Sequence, residues 1–179
     1  MSDDDLTVSR FLAYVLRHRP DAIGIELDGG GWVGVEELLA ALSRHGRPLP
    51  RARLERVVAE SDKRRYELAD GRIRAAQGHS VAVDLGLAAS EPPPVLYHGT
   101  VERFLGRILA EGLRPGSRTH VHLSPDTATA RTVGARRGEP VVLAVDAAGM
   151  HAAGHRFFRA ANGVWLTAAV PPGWISRGG

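Results

Sequence analysis

The 179-residue sequence contains no cysteine. That absence excludes disulfide scaffolds, thiolate zinc sites, iron–sulfur clusters and cysteine nucleophiles together. Lysine is almost missing as well: of 23 basic side chains, Lys63 alone is lysine and the rest are arginine. No apolar run reaches the ~18 residues that a membrane-spanning helix needs. The opening Met1-Ser2-Asp3-Asp4-Asp5 is acidic where a secretory signal is basic. A cytoplasmic location without membrane attachment is therefore expected. The lysine-containing phosphate loop, G-x-x-x-x-G-K-[ST], does not occur either, and Gly29-Gly30-Gly31 reads as a plain turn between Asp28 and Trp32.

What is present is an ordinary globular composition, 44% hydrophobic and 24% charged, which excludes wholesale disorder. The net charge of +3 is too balanced for a generic polyanion coat. Basic and acidic groups are equal in number over residues 1–80 and only slightly basic beyond, so any anion site must be a local cluster. Arginine is suited to such a site, because its planar fork grips phosphate oxygens where lysine offers a point charge. A biased genomic base composition would also produce arginine for lysine.

The length suits one large domain or two small ones. Phe11, Leu12, Val15 and Leu16 repeat at helical spacing behind Ser9 as a cap candidate. Val35, Leu38, Leu39 and Leu42 predict a second helix, and Leu54, Val57 and Val58 a third. Tyr66, Leu68, Ile73 and Ala75 then alternate with charged residues around Asp70-Gly71, a strong hairpin signal. Three helices and a ribbon are the parts of a winged helix. The run from Ala88 to Pro94 has no helix or strand pattern and reads as a linker, giving a lobe over residues 1–87, a linker over 88–94 and a second lobe over 95–179. In the second lobe, Val95–Tyr97, Val121–Leu123, Val141–Val145, Arg156–Arg159 and Val164–Leu166 are expected strands. Helices are expected from about Val101 to Glu111, closed by Gly112, and from near Asp126. Scattered strands without a regular βαβ rhythm predict an α+β fold.

Two clusters can carry chemistry. Arg17-His18-Arg19 precedes Pro20 at a predicted helix end, where cations suit the helix dipole. It is either a charged cap or an anion site to which Arg64 and Arg65 add forks. His98 in Tyr97-His98-Gly99-Thr100 and the pair His120 and His122 form the second cluster. Residues two apart on a strand face one way, so these histidines can share a metal, hold a turn or contact a ligand. Gly99 would permit close backbone approach, and Thr100 supplies a hydroxyl.

The ordered string Leu16-Arg17-His18-Arg19-Pro20, Lys63-Arg64-Arg65-Tyr66, Gln77-Gly78-His79-Ser80, Leu96-Tyr97-His98-Gly99-Thr100, His120-Val121-His122-Leu123-Ser124, Val133 to Gly138 and Asn162 to Thr167 resembles the NAD-dependent RNA 2′-phosphotransferases of the KptA family. The resemblance runs from about Ser9 to Ile175. It implies a winged-helix lobe and an ADP-ribosyltransferase-like split-sheet lobe, with RNA and NAD meeting between them. The four signature residues fall on Arg17, His18, Arg65 and Arg136. The NAD side falls on His98, Gly99, Thr100, His122 and Ser124, with the neighbouring Ser117 and His120, and no metal is implied. Val164 stands where many protein-modifying relatives carry glutamate, and Tyr66 replaces an expected phenylalanine.

The implied activity removes an internal 2′-phosphate of the tRNA splice-junction kind. The phosphate, nearly dianionic, attacks C1″ of the nicotinamide riboside without a protein base, which is how Val164 can replace a carboxylate. Nicotinamide leaves as a neutral amine from a cationic pyridinium, and RNA bearing ADP-ribose on its 2′-phosphate results. O2″ then attacks phosphorus and expels the RNA 2′-oxygen, giving ADP-ribose 1″,2″-cyclic phosphate and 2′-OH RNA. Arg17, Arg65 and Arg136 would stabilise the phosphoryl oxygens, and His18 would protonate the leaving oxygen. A monomer is expected. Two other readings share these residues or their neighbours: ADP-ribosylation of terminal phosphates on RNA or DNA, and a non-enzymatic winged-helix regulator that binds through Arg51, Arg53 and Arg56.

Overall fold

A computed structural model of the chain describes residues 2–61 and 64–178, so Lys63 lies outside the described residues. The chain divides into two compact units, Met1–Gly86 and Leu87–Gly179. Each has its own apolar core.

In the first unit, helix α1 spans Asp3–Arg17 and begins well before the expected Ser9 cap. Ser2 is the cap: its side chain accepts from the Asp5 amide at 3.1 Å. Asp3, Asp4 and Asp5 place negative charge at the positive end of the helix dipole. Ser9 is buried mid-helix, with its hydroxyl 3.2 Å from that of Tyr66. A two-residue strand β1 (Val33–Gly34) leads into α2 (Val35–Arg44), and α3 (Arg51–Ala59) follows. The hairpin is β2 (Tyr66–Ala69) and β3 (Arg72–Ala75), in an antiparallel sheet ordered β1-β3-β2. Asp70 and Gly71 have φ of 50° and 71°. That pair of left-handed residues matches the twist of the flanking strands. Leu12, Val15 and Leu16 of α1, Leu38 and Leu42 of α2, Leu54 and Val57 of α3, and Ile73 of β3 close the core. Burial of each large side chain stabilises the unit by ~1.5–3 kcal/mol.

The second unit runs β4 (Val95–Val101), α4 (Glu102–Glu111), β5 (Val121–Leu123), α5 (Thr127–Gly134), β6 (Pro140–Asp146), α6 (Ala147–Ala152), β7 (Phe157–Arg159), β8 (Trp165–Thr167) and β9 (Ile175–Arg177). Its strands form two antiparallel sheets, β4-β6-β9 and β5-β8-β7. Tyr97 and Ser124 join them by exchanging backbone hydrogen bonds of 2.9 and 2.7 Å. Helices between antiparallel strands make the chain α+β, as expected. The proline-rich stretch behaves differently from a free connector. The Ser90 amide donates to the Phe157 carbonyl at 2.9 Å, and the Ala148 amide to that of Pro94 at 3.1 Å, so residues 88–94 are strapped to the second unit. No helix among the described residues is long and apolar enough to cross a membrane.

Candidate functional site

The first unit gathers its polar residues where α1 ends. Arg17 is the last residue of the helix and His18 its cap, and both are half-buried. The segment after β3 returns to this end. The Ser80 amide donates to the Arg17 carbonyl at 2.9 Å, and the Ser80 hydroxyl lies 2.9 Å from His18 Nδ1. Gly78 makes that return possible. Its φ of 91° is left-handed, and a β-carbon there would lie 3.6 Å from the Arg17 guanidinium. Arg65 extends the hairpin ladder by one residue, its carbonyl accepting from the Ala76 amide at 2.8 Å. Arg64 beside it is exposed, with a φ of 39°. Arg17 and Arg65 act on the same neighbour. Burial pushes the Tyr66 hydroxyl pKa up, and the two guanidinium charges partly oppose that rise. The same hydroxyl donates to the Ser9 carbonyl, which gives the tyrosine a function that phenylalanine would lack.

His79 stands behind this cluster, 1% exposed, and its Nε2 has no hydrogen-bond partner among the described residues. Burial, then the charges of Arg17, Arg74 and His18, pull its pKa down to about 4. It is a neutral ring at physiological pH.

Within the second unit a cavity of about 410 Å³ is lined by residues of β4, α4, the loop that follows, and β5. Its charged lining is Arg107, Arg114, Arg118 and Arg137 against Glu111 alone. Arg107 is already paired with Glu111 at 3.1 Å. Phe104, Ile108 and Leu113 form an apolar wall. Such a lining suits a ligand that joins a flat ring to phosphates, and the volume lies within the ~300–1,000 Å³ usual for small-molecule sites.

The histidines here are oriented by neighbours. Arginine only donates, so the 2.8 Å contact from Arg118 makes His122 Nδ1 an acceptor. A carbonyl only accepts, so His98 Nδ1 donates to the His122 carbonyl at 3.1 Å. Burial, with the Arg137 and Arg118 charges adding to it, lowers the His98 pKa and keeps that ring neutral. Burial also lowers the Arg118 pKa, followed by repulsion from Arg137 and Arg136. His120 Nδ1 lies 3.1 Å from the Thr119 hydroxyl, and its ring meets Phe158 edge-on. Among the described residues no three histidine or carboxylate side chains come together as a metal site requires.

Of the residues singled out from the sequence, His98, Thr100, Ser117, His120 and His122 line the cavity. Gly99 does not. A β-carbon there would come within 1.8 Å of the Ala130 carbonyl, so the close approach it allows is that of α5. Ser124 serves as the junction of the two sheets. Arg136 is exposed on the short turn Ala135–Arg137, and the cavity is lined by Arg137 instead. Arg114 was not anticipated; its only signal was an arginine two residues after the helix-closing Gly112.

Two other features fall away. Gly29, Gly31 and Gly34 have the G-x-G-x-x-G spacing of a dinucleotide fingerprint, but no strand precedes them. The Asp28 carboxylate also takes the Gly30 and Trp32 amides, each at 2.9 Å. The arginines of α3 are likewise occupied. Arg51 pairs with Glu36 at 2.6 Å and Glu55 at 3.0 Å, Arg53 with Asp4 at 2.5 Å and Asp5 at 2.8 Å, and Arg56 with Asp5 at 3.5 Å.

The chain is similar to curated proteins along nearly its whole length. A protein of Streptomyces griseus subsp. griseus named "Probable RNA 2′-phosphotransferase" is 57% identical over 177 residues, covering 94% of each chain. Proteins of the same name from Streptomyces coelicolor and Agrobacterium fabrum are 58% and 60% identical, covering 94% of this chain and 92% and 91% of theirs. Residues 3–169 match the family described as "RNA 2'-phosphotransferase, Tpt1 / KptA family", and the chain therefore belongs to that family.

Proposed function

We propose that this protein is a transferase that removes an internal 2′-phosphate from RNA and passes it to NAD in two steps, releasing nicotinamide, ADP-ribose 1″,2″-cyclic phosphate and 2′-OH RNA. The observation that carries this reading is that Arg17 and His18 close α1 together while Arg65 and Arg17 both act on Tyr66, in a chain whose family is named for moving an RNA 2′-phosphate. We read the first unit as a winged helix, a reading supported by its three helices and hairpin. The second we read as an ADP-ribosyltransferase-like lobe, supported by its two small sheets joined at Tyr97 and Ser124.

The donor set of the second-unit cavity fits a dinucleotide. Arg114, Arg118 and Arg137 offer N–H forks to a pyrophosphate, and Phe104, Ile108 and Leu113 an apolar wall to a ring. When bound, NAD supplies the ribose carbon and hydroxyl that accept the phosphate. Arg17 and Arg65 hold phosphate oxygens by charge-assisted hydrogen bonds and stabilise charge on them as phosphorus is transferred. His18, whose Nδ1 lies 2.9 Å from the Ser80 hydroxyl, is the group that delivers a proton to the departing RNA 2′-oxygen. Val164 requires no basic replacement, because the phosphate nucleophile is already ionised. Guanidinium groups meet the phosphate charge here, and turnover is expected to persist in EDTA.

The test is to incubate the full chain with NAD and an oligonucleotide bearing an internal 2′-phosphate, in parallel with one bearing only a 5′-phosphate. Conversion of the first to 2′-OH RNA supports the reading. Modification of the 5′-end alone would replace it with end ADP-ribosylation, and no turnover of either would return the chain to a binding role. The occupied arginines of α3 weigh against that last outcome.

A further inference from the structure

We infer that Tyr14 is a stacking platform for a nucleobase beside the 2′-phosphate, flanked by Arg10 and Arg47 as phosphate contacts, so that the solvent face of α1 is an interaction surface for single-stranded RNA. The inference rests on the reading above that the substrate is RNA whose 2′-phosphate meets the end of α1. It adds where the neighbouring nucleotide lies.

Residues three or four apart on a helix share a face. Arg10, Tyr14 and Arg17 therefore form one stripe along α1, which His18 closes as its cap. Tyr14 is 43% exposed and Arg10 is exposed, whereas Arg17 and His18 are half-buried where the stripe ends. From Tyr14 to Arg17 the helix rises roughly 4.5 Å, a step that the sugar and base next to a phosphate can span.

A lone exposed aromatic is ordinary on any protein surface. Tyr14 differs in how its ring is braced. Phe11 lies 6.3 Å away, centroid to centroid and tilted by 37°, and the Arg47 guanidinium sits 4.3 Å over the Phe11 ring. Toward the cap, Tyr14 acts electrostatically on Arg19, whose fork Asp21 holds at 2.9 Å. The tyrosine hydroxyl makes no hydrogen bond among the described residues, so it is the ring and not the polar tip that the surface offers. An aromatic ring supplies a large contact area at low entropic cost, and every base has a face to lay on it.

The charge of this face suits the same partner. From Leu6 to Pro20 the chain has no acidic residue. Asp4 and Asp5 at one end of the helix are paired with Arg53 and Arg56, and Asp21 beyond the other end with Arg19. Arg10 and Arg47 have no carboxylate within ion-pairing distance among the described residues. Aromatic rings interleaved with unpaired arginines are what the bases and phosphates of a single strand require together.

The experiment uses the full chain without NAD and an RNA oligonucleotide that carries an internal 2′-phosphate, with 2-aminopurine on its 5′ or its 3′ side. Binding should quench the fluorescence at one of these two positions. Tyr14→Ala should abolish the quenching and weaken RNA binding about 5- to 100-fold, the range for losing one stacked base, whereas Tyr14→Phe and Tyr14→Trp should retain both. Arg10→Ala and Arg47→Ala should each reduce the slope of log affinity against log salt by about 0.7. An unchanged urea-unfolding midpoint in Tyr14→Ala would show that the fold is intact. Tight, quenched binding by Tyr14→Ala would overturn the proposal. Loss of binding in Tyr14→Phe as well would move the role to the hydroxyl and overturn stacking. Sedimentation showing a dimer that Tyr14→Ala dissociates would give the face to a second copy of the chain instead. If the unaltered protein binds this RNA but does not convert it once NAD is added, the reaction proposed above is wrong, and the Tyr14 result stands or falls on binding alone.

Discussion

Two arginine-rich regions carry similar charge and opposite consequences. On α3, Arg51, Arg53 and Arg56 are each within ion-pairing distance of a carboxylate from Asp4, Asp5, Glu36 or Glu55. In the second-unit cavity, Arg114 and Arg137 have no carboxylate within ion-pairing distance among the described residues, and Arg118 spends a donor on a neutral histidine. Repulsion among Arg118, Arg136 and Arg137 is tolerated in the fold. The lesson is that arginine abundance locates nothing. What marks an anion site is arginines kept apart from acids, at a cost in folding that a bound anion would offset.

The comparison can be pushed hardest at the cluster proposed to handle the phosphate. If the reaction is the two-step transfer proposed above, His18→Ala or Arg65→Ala should slow its second step about 10²- to 10³-fold, because the first step starts from an ionised nucleophile and the second needs a stabilised phosphoryl group and a proton. A labelled 2′-phosphate followed through a single turnover should show the first-step product accumulating. Equal loss of both steps would reassign these residues to RNA docking.

A smaller effect is expected from the cavity. Arg118→Ala should weaken NAD binding about 10- to 100-fold, the usual range for losing one charged hydrogen bond, as read by calorimetric titration. Unchanged affinity would put the pyrophosphate elsewhere.

Acid should expose a difference within the first unit. The pKa of His79 is about 4 in the folded protein and near 6.5 in an unfolded chain. Between those values the unfolded state binds a proton that the native state refuses. Stability is therefore full above pH 6.5 and declines as pH falls toward 4, by on the order of 2 kcal/mol after allowing for screening. Urea unfolding across this range should show the slope, and His79→Gln should flatten it. An equally steep slope in the variant would mean another group is responsible.

The smallest effect belongs to α3. Arg51→Ala and Arg56→Ala should leave turnover within about twofold, since exposed ion pairs contribute little. A large loss would show that these arginines exchange their carboxylates for RNA and would erase the contrast.

Much of this was readable in advance where one local rule dominates. Asp70-Gly71 announced the hairpin because two left-handed residues admit few sequences. Gly112 closed α4 and Asp126 capped α5 for similarly local reasons. α1 starts earlier than its apolar spacing suggests because serine serves two purposes: Ser2 caps, while Ser9 faces Tyr66, a partner 57 residues away. β1 and β9 have two and three residues, too few for a period to register. The strap formed by residues 88–94 depends on contacts with β7 that no local pattern encodes. At the site, the order of motifs pointed to the cavity-lining His98, Thr100 and His122. Arg136, which the same motifs mark as a signature residue, is exposed on the turn Ala135–Arg137, beside the cavity-lining Arg137.

Gly99 and Gly134 face each other where α5 crosses β4. A β-carbon on Gly134 would stand 2.8 Å from the Thr100 carbonyl, as one on Gly99 would strike Ala130. Strand and helix are thus fused back to back, and Thr100 hangs into the cavity from the seam. For anyone redesigning the pocket, this divides the lining into a fixed wall and an adjustable one. Phe104, Arg107 and Ile108 sit on α4, where side chains can be exchanged one at a time. Any change that parts the two glycines would move Thr100 with the strand, so diversity belongs on α4.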